Sequence, residues 1–264
     1  MSYWYLNKEG FPKVSLRERI NPGNTHQYQK EISEIQQIEK DINKFYPLCK
    51  ILKQGILSNL IPNRFSDDLL NNTNSKFNIV LKGRQVGVTC TLSVIALYNA
   101  LFLNKNVVIA SRNKNVSIDI LNRILTMYIN IEEHLKYGVC GLTKTKVTFN
   151  NGKSIRVISS LKNYNSSIDL LIIDEYDFIS PMMKKYFITS VCPVIASRIN
   201  DKVIITSSIR RGLINKEEYS VEDLITNNDY EIFNFNVLTI NCFDLIVKQY
   251  NRNKKISEIL DEKS

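Results

Sequence analysis

The chain has 264 residues, 44% of them apolar and 23% charged, with nine glycines and six prolines. This profile excludes a disordered or collagen-like chain and suits one large α/β domain with a small addition. Lysine and arginine outnumber aspartate and glutamate by 35 to 26, and the resulting charge of +9 favours a polyanionic partner, nucleic acid before membrane.

The first 24 residues are mixed, lack the order of a signal peptide, and are expected to form a loosely docked arm. Ile32, Ile35, Ile38, Ile42 and Phe45 recur at helical spacing and predict helix across Thr25–Leu60, divided in two at Pro47. The polar, Asn-rich segment Ser66–Ser75 predicts a loop or a short helix end. From Phe77 onward strands and helices alternate. FNIVL (Phe77–Leu81) predicts a buried strand, KGRQVGVT a turn, and the following residues a helix to about Leu103. NVVIA (Asn106–Ala110) is the next strand, with a helix from about Asn115 to Ile131. KVTFN, Asn151-Gly152 and SIRVIS predict a hairpin. LLIID (Leu170–Asp174) and KVIITSS (Lys202–Ser208) complete a set of continuous apolar runs, the mark of parallel strands buried on both faces. EIFNFNVLTI offers one more strand, and a last helix is expected around Phe243–Leu260.

The expectation is therefore a P-loop fold with a mostly parallel sheet flanked by helices. Residues 1–65 would form an arm and helices packed on the core, 66–212 the core itself, and 213–264 a small C-terminal extension. The five scattered cysteines, with His26 and His134 the only histidines, leave no Cys/His zinc pattern. The longest apolar stretch, Thr91–Leu103, is too short to cross a bilayer.

Chemistry concentrates in two places. KGRQVGVT matches the phosphate-loop pattern only at Gly87 and Thr89, with Lys82 at the first glycine position and Val88 in the lysine slot. Its setting, after a strand and opening a helix, is where N–H groups and the helix dipole hold phosphate. Lys82, Gly83, Arg84, Gln85, Val86, Gly87, Val88 and Thr89 are thus the candidate nucleotide-binding residues. LLIIDEYDF places Asp174 where a carboxylate joins Thr89 in a Mg2+ shell, and Glu175 where it can orient or deprotonate a water. Each motif alone has a plain structural reading, a strand–turn–helix junction or an acidic helix cap. Their order along the chain favours an ATPase. Thr206, Ser207 and Ser208 end the next strand and are placed to sense a γ-phosphate.

Together these residues resemble the ATPase domain of the terminase large subunit, the DNA-packaging motor of tailed bacteriophages. The resemblance spans Phe77–Gly212 and rests on KGRQVGVT, the NNGKSIRVIS hairpin, the run NYNSSIDLLIIDEYDFI, and TSS. It implies Mg2+-dependent ATP hydrolysis, with Arg84 as the loop arginine, Glu175 as the catalytic glutamate, Lys82 as a displaced loop lysine and Thr206–Ser208 as the coupling segment. It also implies double-stranded DNA, a portal protein and a small terminase subunit as partners, a homo-oligomer such as a pentamer on the portal, and work in the host cytoplasm docked on a procapsid. Three features depart from the pattern. Val88 replaces the lysine, no adenine-reading glutamine precedes the loop (leaving Arg64 or Phe65 as weak candidates), and the tail after Ser208 is too short for a nuclease, so no DNA cleavage is expected. A helicase-like nucleic-acid-dependent ATPase and a non-catalytic nucleotide- or DNA-binding scaffold are the competing classes. Arg112, Arg123, Arg198, Arg210 and Arg211 are open candidates for an arginine acting in trans.

Overall fold

The computed structural model describes residues 25–83, 86–161, 168–208, 221–226 and 236–240. The expected N-terminal arm, Arg84, Gln85, the NYNSS run, Arg210, Arg211 and the expected last helix lie outside the described residues.

Helices α1 (Thr25–Lys40) and α2 (Ile42–Phe45) begin the fold. The helix expected to reach Leu60 does not continue: β1 (Lys50–Lys53) and β2 (Ile56–Asn59) form an antiparallel hairpin instead, with Lys53 opposite Ile56. The two turn residues, Gln54 and Gly55, both have left-handed φ, at 49° and 82°. That is the backbone of the hairpin turn whose twist matches paired strands, and glycine takes its second position without a Cβ penalty. The segment expected to be a loop or a short helix end holds most of helix α3 (Arg64–Asn72). Its start is a capping box: the Asn63 side chain accepts from the Ser66 N–H, and the Ser66 hydroxyl accepts from the Asn63 N–H. The box satisfies two otherwise orphaned donors and stabilises the helix by about 1 kcal/mol.

The sheet follows. Its strands are β3 (Phe77–Lys82), β4 (Val107–Ala110), β5 (Val139–Leu142), β6 (Lys146–Phe149), β7 (Ser154–Ile158), β8 (Leu170–Ile173), β9 (Lys202–Ser208) and β10 (Asn236–Ile240). They lie in the order β10-β3-β9-β8-β4-β7-β6-β5, parallel from β10 to β7 and antiparallel at β6 and β5. The expected strands and the Asn151-Gly152 hairpin are present, with EIFNFNVLTI represented by β10, its first five residues lying outside the described residues; β5 extends the sheet past that hairpin. Asn151 donates to the Ala100 carbonyl and so pins the hairpin tip to the end of helix α4 (Val88–Leu101).

Two cores cover the two faces. On one, α4 and α5 (Lys114–Asn130) pack over Val80, Ile172 and Ile204. The same cluster includes Ile38, Phe45, Tyr46 and Leu60, so the first helices and the hairpin share that core. Helix α4 is buried on nearly every side, which is why its sequence is apolar all round. On the other face α6 (Pro181–Tyr186), a π-turn at Phe187–Val191, α7 (Cys192–Ser197) and α8 (Val221–Thr226) cover Ile79, Ile173 and Ile205. The π-turn ends two residues before Pro193, which has no N–H to continue the regular ladder. His134, between Glu34 of α1 at 3.1 Å and Glu132 at 3.5 Å, ties the first helix to the turn after α5. No helix among the described residues is long and apolar enough to cross a membrane.

One charge sits uneasily in this frame. Burial, and behind it the ammonium of Lys105, push Lys202 at the start of β9 down to about 8 from 10.5. The fold thus disfavours the charged form, so the cost is full below pH 8 and fades as pH rises toward the unfolded value. Lys202→Met is expected to stabilise the protein at neutral pH, on the order of 1 kcal/mol, and to lose most of that gain by about pH 10. Thermal melts of both proteins at the two pH values check this.

Candidate nucleotide site

The strand order places a switch point where ligands bind in open α/β sheets. Strands β3 and β9 are neighbours, yet the chain leaves β3 toward β4 and leaves β9 toward β10, on opposite sides. The crevice beyond their carboxyl ends is occupied by the residues singled out from the sequence.

Lys82 and Gly83 close β3, and the loop returns at Val86 to start α4. Gly87 caps that helix with φ at 81°, and its carbonyl accepts from the N–H groups of Cys90 and Thr91. The left-handed backbone is what a glycine supplies here, for a Cβ at this position would meet nothing within 4 Å. The helix start presents N–H groups and the positive end of the dipole to the crevice. Val88, in the lysine slot, is 3% exposed and belongs to the apolar core.

Asp174, just past β8, is the hub. The Thr89 hydroxyl donates to its Oδ2 at 2.9 Å, the Thr206 hydroxyl to its Oδ1 at 2.6 Å, and the Lys82 ammonium to Oδ1 at 3.3 Å. Asp174, Lys82 and Thr206 are buried, and Thr89 is partly exposed to the cleft. Glu175 follows with a left-handed backbone, φ 57° and ψ 54°, uncommon for a residue with a Cβ and a sign of local strain held by its surroundings. Its N–H donates to the Thr206 hydroxyl at 3.3 Å.

Beside the hub lies a cleft of about 490 Å³. Lys82, Gly83, Val86, Gly87, Val88, Thr89 and Glu175 line it, with Ile51, Leu52 and Lys53 of the hairpin, Cys90 of α4, and Arg123 and Thr126 of α5. Burial raises the Cys90 thiol, while the charges of Arg123 and Lys53 draw it back down. The cleft therefore joins the described loop residues to Glu175, and Asp174 and Thr206 stand directly behind it.

Several residues in this region escaped the sequence reading. Lys53, Arg123 and Thr126 reach the cleft only through tertiary packing, and Arg123 was open only as a trans-acting candidate. Asp177, three residues beyond Asp174, accepts the Ser207 hydroxyl at 2.7 Å and the Val221 N–H at 2.9 Å, with the buried Lys184 ammonium 3.9 Å away. Its only signal was a second carboxylate in DEYDF. Ser208 pairs with Lys82 across β9 and β3. Arg64 and Phe65 sit at the start of α3 and do not line the cleft. Arg198 bonds Asp201 before β9, at the end of the sheet opposite the loop, and Arg112 is exposed just past β4.

The hub fits a hard divalent cation by its donors, a hydroxyl and a carboxylate with oxygens 2.9 Å apart. A triphosphate fits the helix start and the glycine-flanked loop.

No protein-family model matches the sequence, and no curated protein is significantly similar to it. Solved structures are similar in fold. The Thermus phage P74-26 large terminase ATPase domain shares 17% identity over 74% of this chain and 87% of that one, with a TM-score of 0.48. The UvsW helicase of bacteriophage T4 shares 12% over 90% and 85%, with a TM-score of 0.47. The HK97 bacteriophage large terminase shares 14% over 76% of this chain, with a TM-score of 0.58, and the chain spans 43% of that protein's length. The chain accordingly has an α/β fold with a mainly parallel sheet flanked by helices, similar to that of the HK97 bacteriophage large terminase.

Proposed function

We propose that this chain is the ATP-hydrolysing motor domain of a viral DNA-packaging terminase large subunit. The observation that carries the reading is the convergence of Lys82, Thr89 and Thr206 on Asp174, beside a cleft that Glu175 and the start of α4 both line. The loop and the helix N–H groups hold the triphosphate. Thr89 and Asp174 would hold Mg2+, which when bound neutralises charge on the phosphate oxygens. Glu175 orients a water toward the γ-phosphorus and takes its proton, and ADP leaves as the new P–O bond forms. Arg84, by resemblance, adds charge to the transition state. Thr206, Ser207 and Ser208 pass the state of the site to the rest of the domain. In the assembled motor, a homo-oligomer on a portal with a small terminase subunit, this cycle would move double-stranded DNA into a procapsid.

The test is turnover of Mg-ATP by the purified chain, with and without duplex DNA, beside a strand-separation assay. Hydrolysis without strand separation is the expected result. Efficient unwinding would move the protein to the helicase class. Absence of both ATP binding and hydrolysis would leave only a scaffold.

A further inference from the structure

A bound nucleoside triphosphate brings several negative charges into a cleft from which the usual ammonium is missing. The side chain in the lysine slot is Val88, buried in the core. Lys82 is committed to Asp174 at 3.3 Å. Two other cations line the same cleft: Arg123, partly buried on α5, and Lys53 at the end of β1. Neither has an ion-pair partner among the described residues. Arg123 follows Ile120 and Leu121 and precedes Ile124 and Leu125, all core residues, so its backbone is held rigidly by α5 packing. Both cations line the cleft together with Val88, Thr89 and Cys90 of the first turn of α4. Arg123 is partly buried and lines the cleft, so its guanidinium is accessible to an anion bound there. Its planar fork spans two phosphate oxygens, which a lysine at the same place does not.

We infer that Arg123, seconded by Lys53, binds the polyphosphate of the nucleotide in cis, in place of the lysine that Val88 displaces. The inference rests on the proposed ATPase reading and adds a phosphate ligand from outside the loop. It makes α5 and the β1–β2 hairpin part of the nucleotide site.

Equilibrium binding of ATP and ADP to the purified chain decides it, with wild type, Arg123→Ala, Arg123→Lys and Lys53→Ala compared at one salt concentration. Arg123→Ala is expected to weaken both nucleotides about tenfold or more, Arg123→Lys to recover part of the loss, and Lys53→Ala to cost a smaller factor. Unchanged melting of the nucleotide-free variants shows that the loss is not one of folding; if Arg123→Ala does not fold, Arg123→Lys and Arg123→Gln carry the comparison. Wild-type affinity in Arg123→Ala overturns the inference and leaves the ATPase reading standing. So does normal binding with a turnover defect rescued by mixing with a second, intact subunit, which marks an arginine acting in trans. Failure of wild type itself to bind ATP overturns the ATPase reading first, and this inference with it.

Discussion

Glu175→Gln is expected to slow ATP turnover by about two orders of magnitude or more while leaving ATP affinity near that of wild type. Glu175 lines the cleft, and its backbone N–H is held by the Thr206 hydroxyl, which places the residue at the crevice. Glutamine keeps the volume and the left-handed backbone, and it removes only the capacity to accept the water's proton. Stability should therefore change little. Single-turnover hydrolysis beside equilibrium binding separates the two quantities, and near-normal turnover would remove Glu175 from its role.

Asp174→Asn should do more, because Asp174 serves the fold as well as the site. Its side chain and that of Lys82 are 5% and 8% exposed. An asparagine can still serve the Thr89 and Thr206 hydroxyls, since a hydroxyl donates or accepts as its neighbour requires. The Lys82 ammonium has no such freedom and is left as an uncompensated buried charge. A loss of about 3 kcal/mol in folding stability is expected from that alone, with ATP turnover falling to background. Adding Lys82→Met should return most of the stability and none of the turnover, the non-additive signature of a pair. Denaturant titrations of the two single variants and the double variant measure it; equal stability of Asp174→Asn and wild type would mean the pair holds no charge in place.

What the amino acids disclosed, and what they hid, follows from how far apart the cooperating residues lie. Strands β3, β4, β8 and β9 were legible because a parallel strand covered on both faces must be a continuous apolar run, and LLII and VVIA can be little else. The Asn151-Gly152 hairpin was legible because its turn chemistry is local. The Gln54-Gly55 hairpin obeys the same turn rule but was read as helix, since the Ile32–Phe45 spacing was carried on to Leu60, across Lys50–Asn59, most of which faces solvent. The α3 helix was hidden by its asparagines and aspartates, which suggest a loop until the reciprocal bonds of Asn63 and Ser66 are seen. At the site, Lys82, Thr89, Asp174 and Thr206 all lie at strand ends or a helix start, positions that pattern predicts. Arg123 and Lys53 belong to a helix face and a strand end whose orientation only the packed structure determines.

The end of β9 has one further consequence. Side chains along a strand alternate between faces, so Thr206 shares the side of Ile204, under α4 and α5, while Ser207 shares that of Ile205, under α6 and α8. Thr206 grips Asp174 on the first side, and Ser207 grips Asp177 and, through it, the backbone of Val221 on the second. Adjacent residues cannot be displaced separately when both are locked into the β3 register, Thr206 opposite Val80 and Ser207 opposite Leu81. The strand end thus works like a rivet through a plate: a force on its head at Asp174 is borne at once by its tail at Asp177 on the far side. Lengthening the chain by one residue between Ile205 and Thr206 would leave every bond partner in place and reverse which face each hydroxyl reaches.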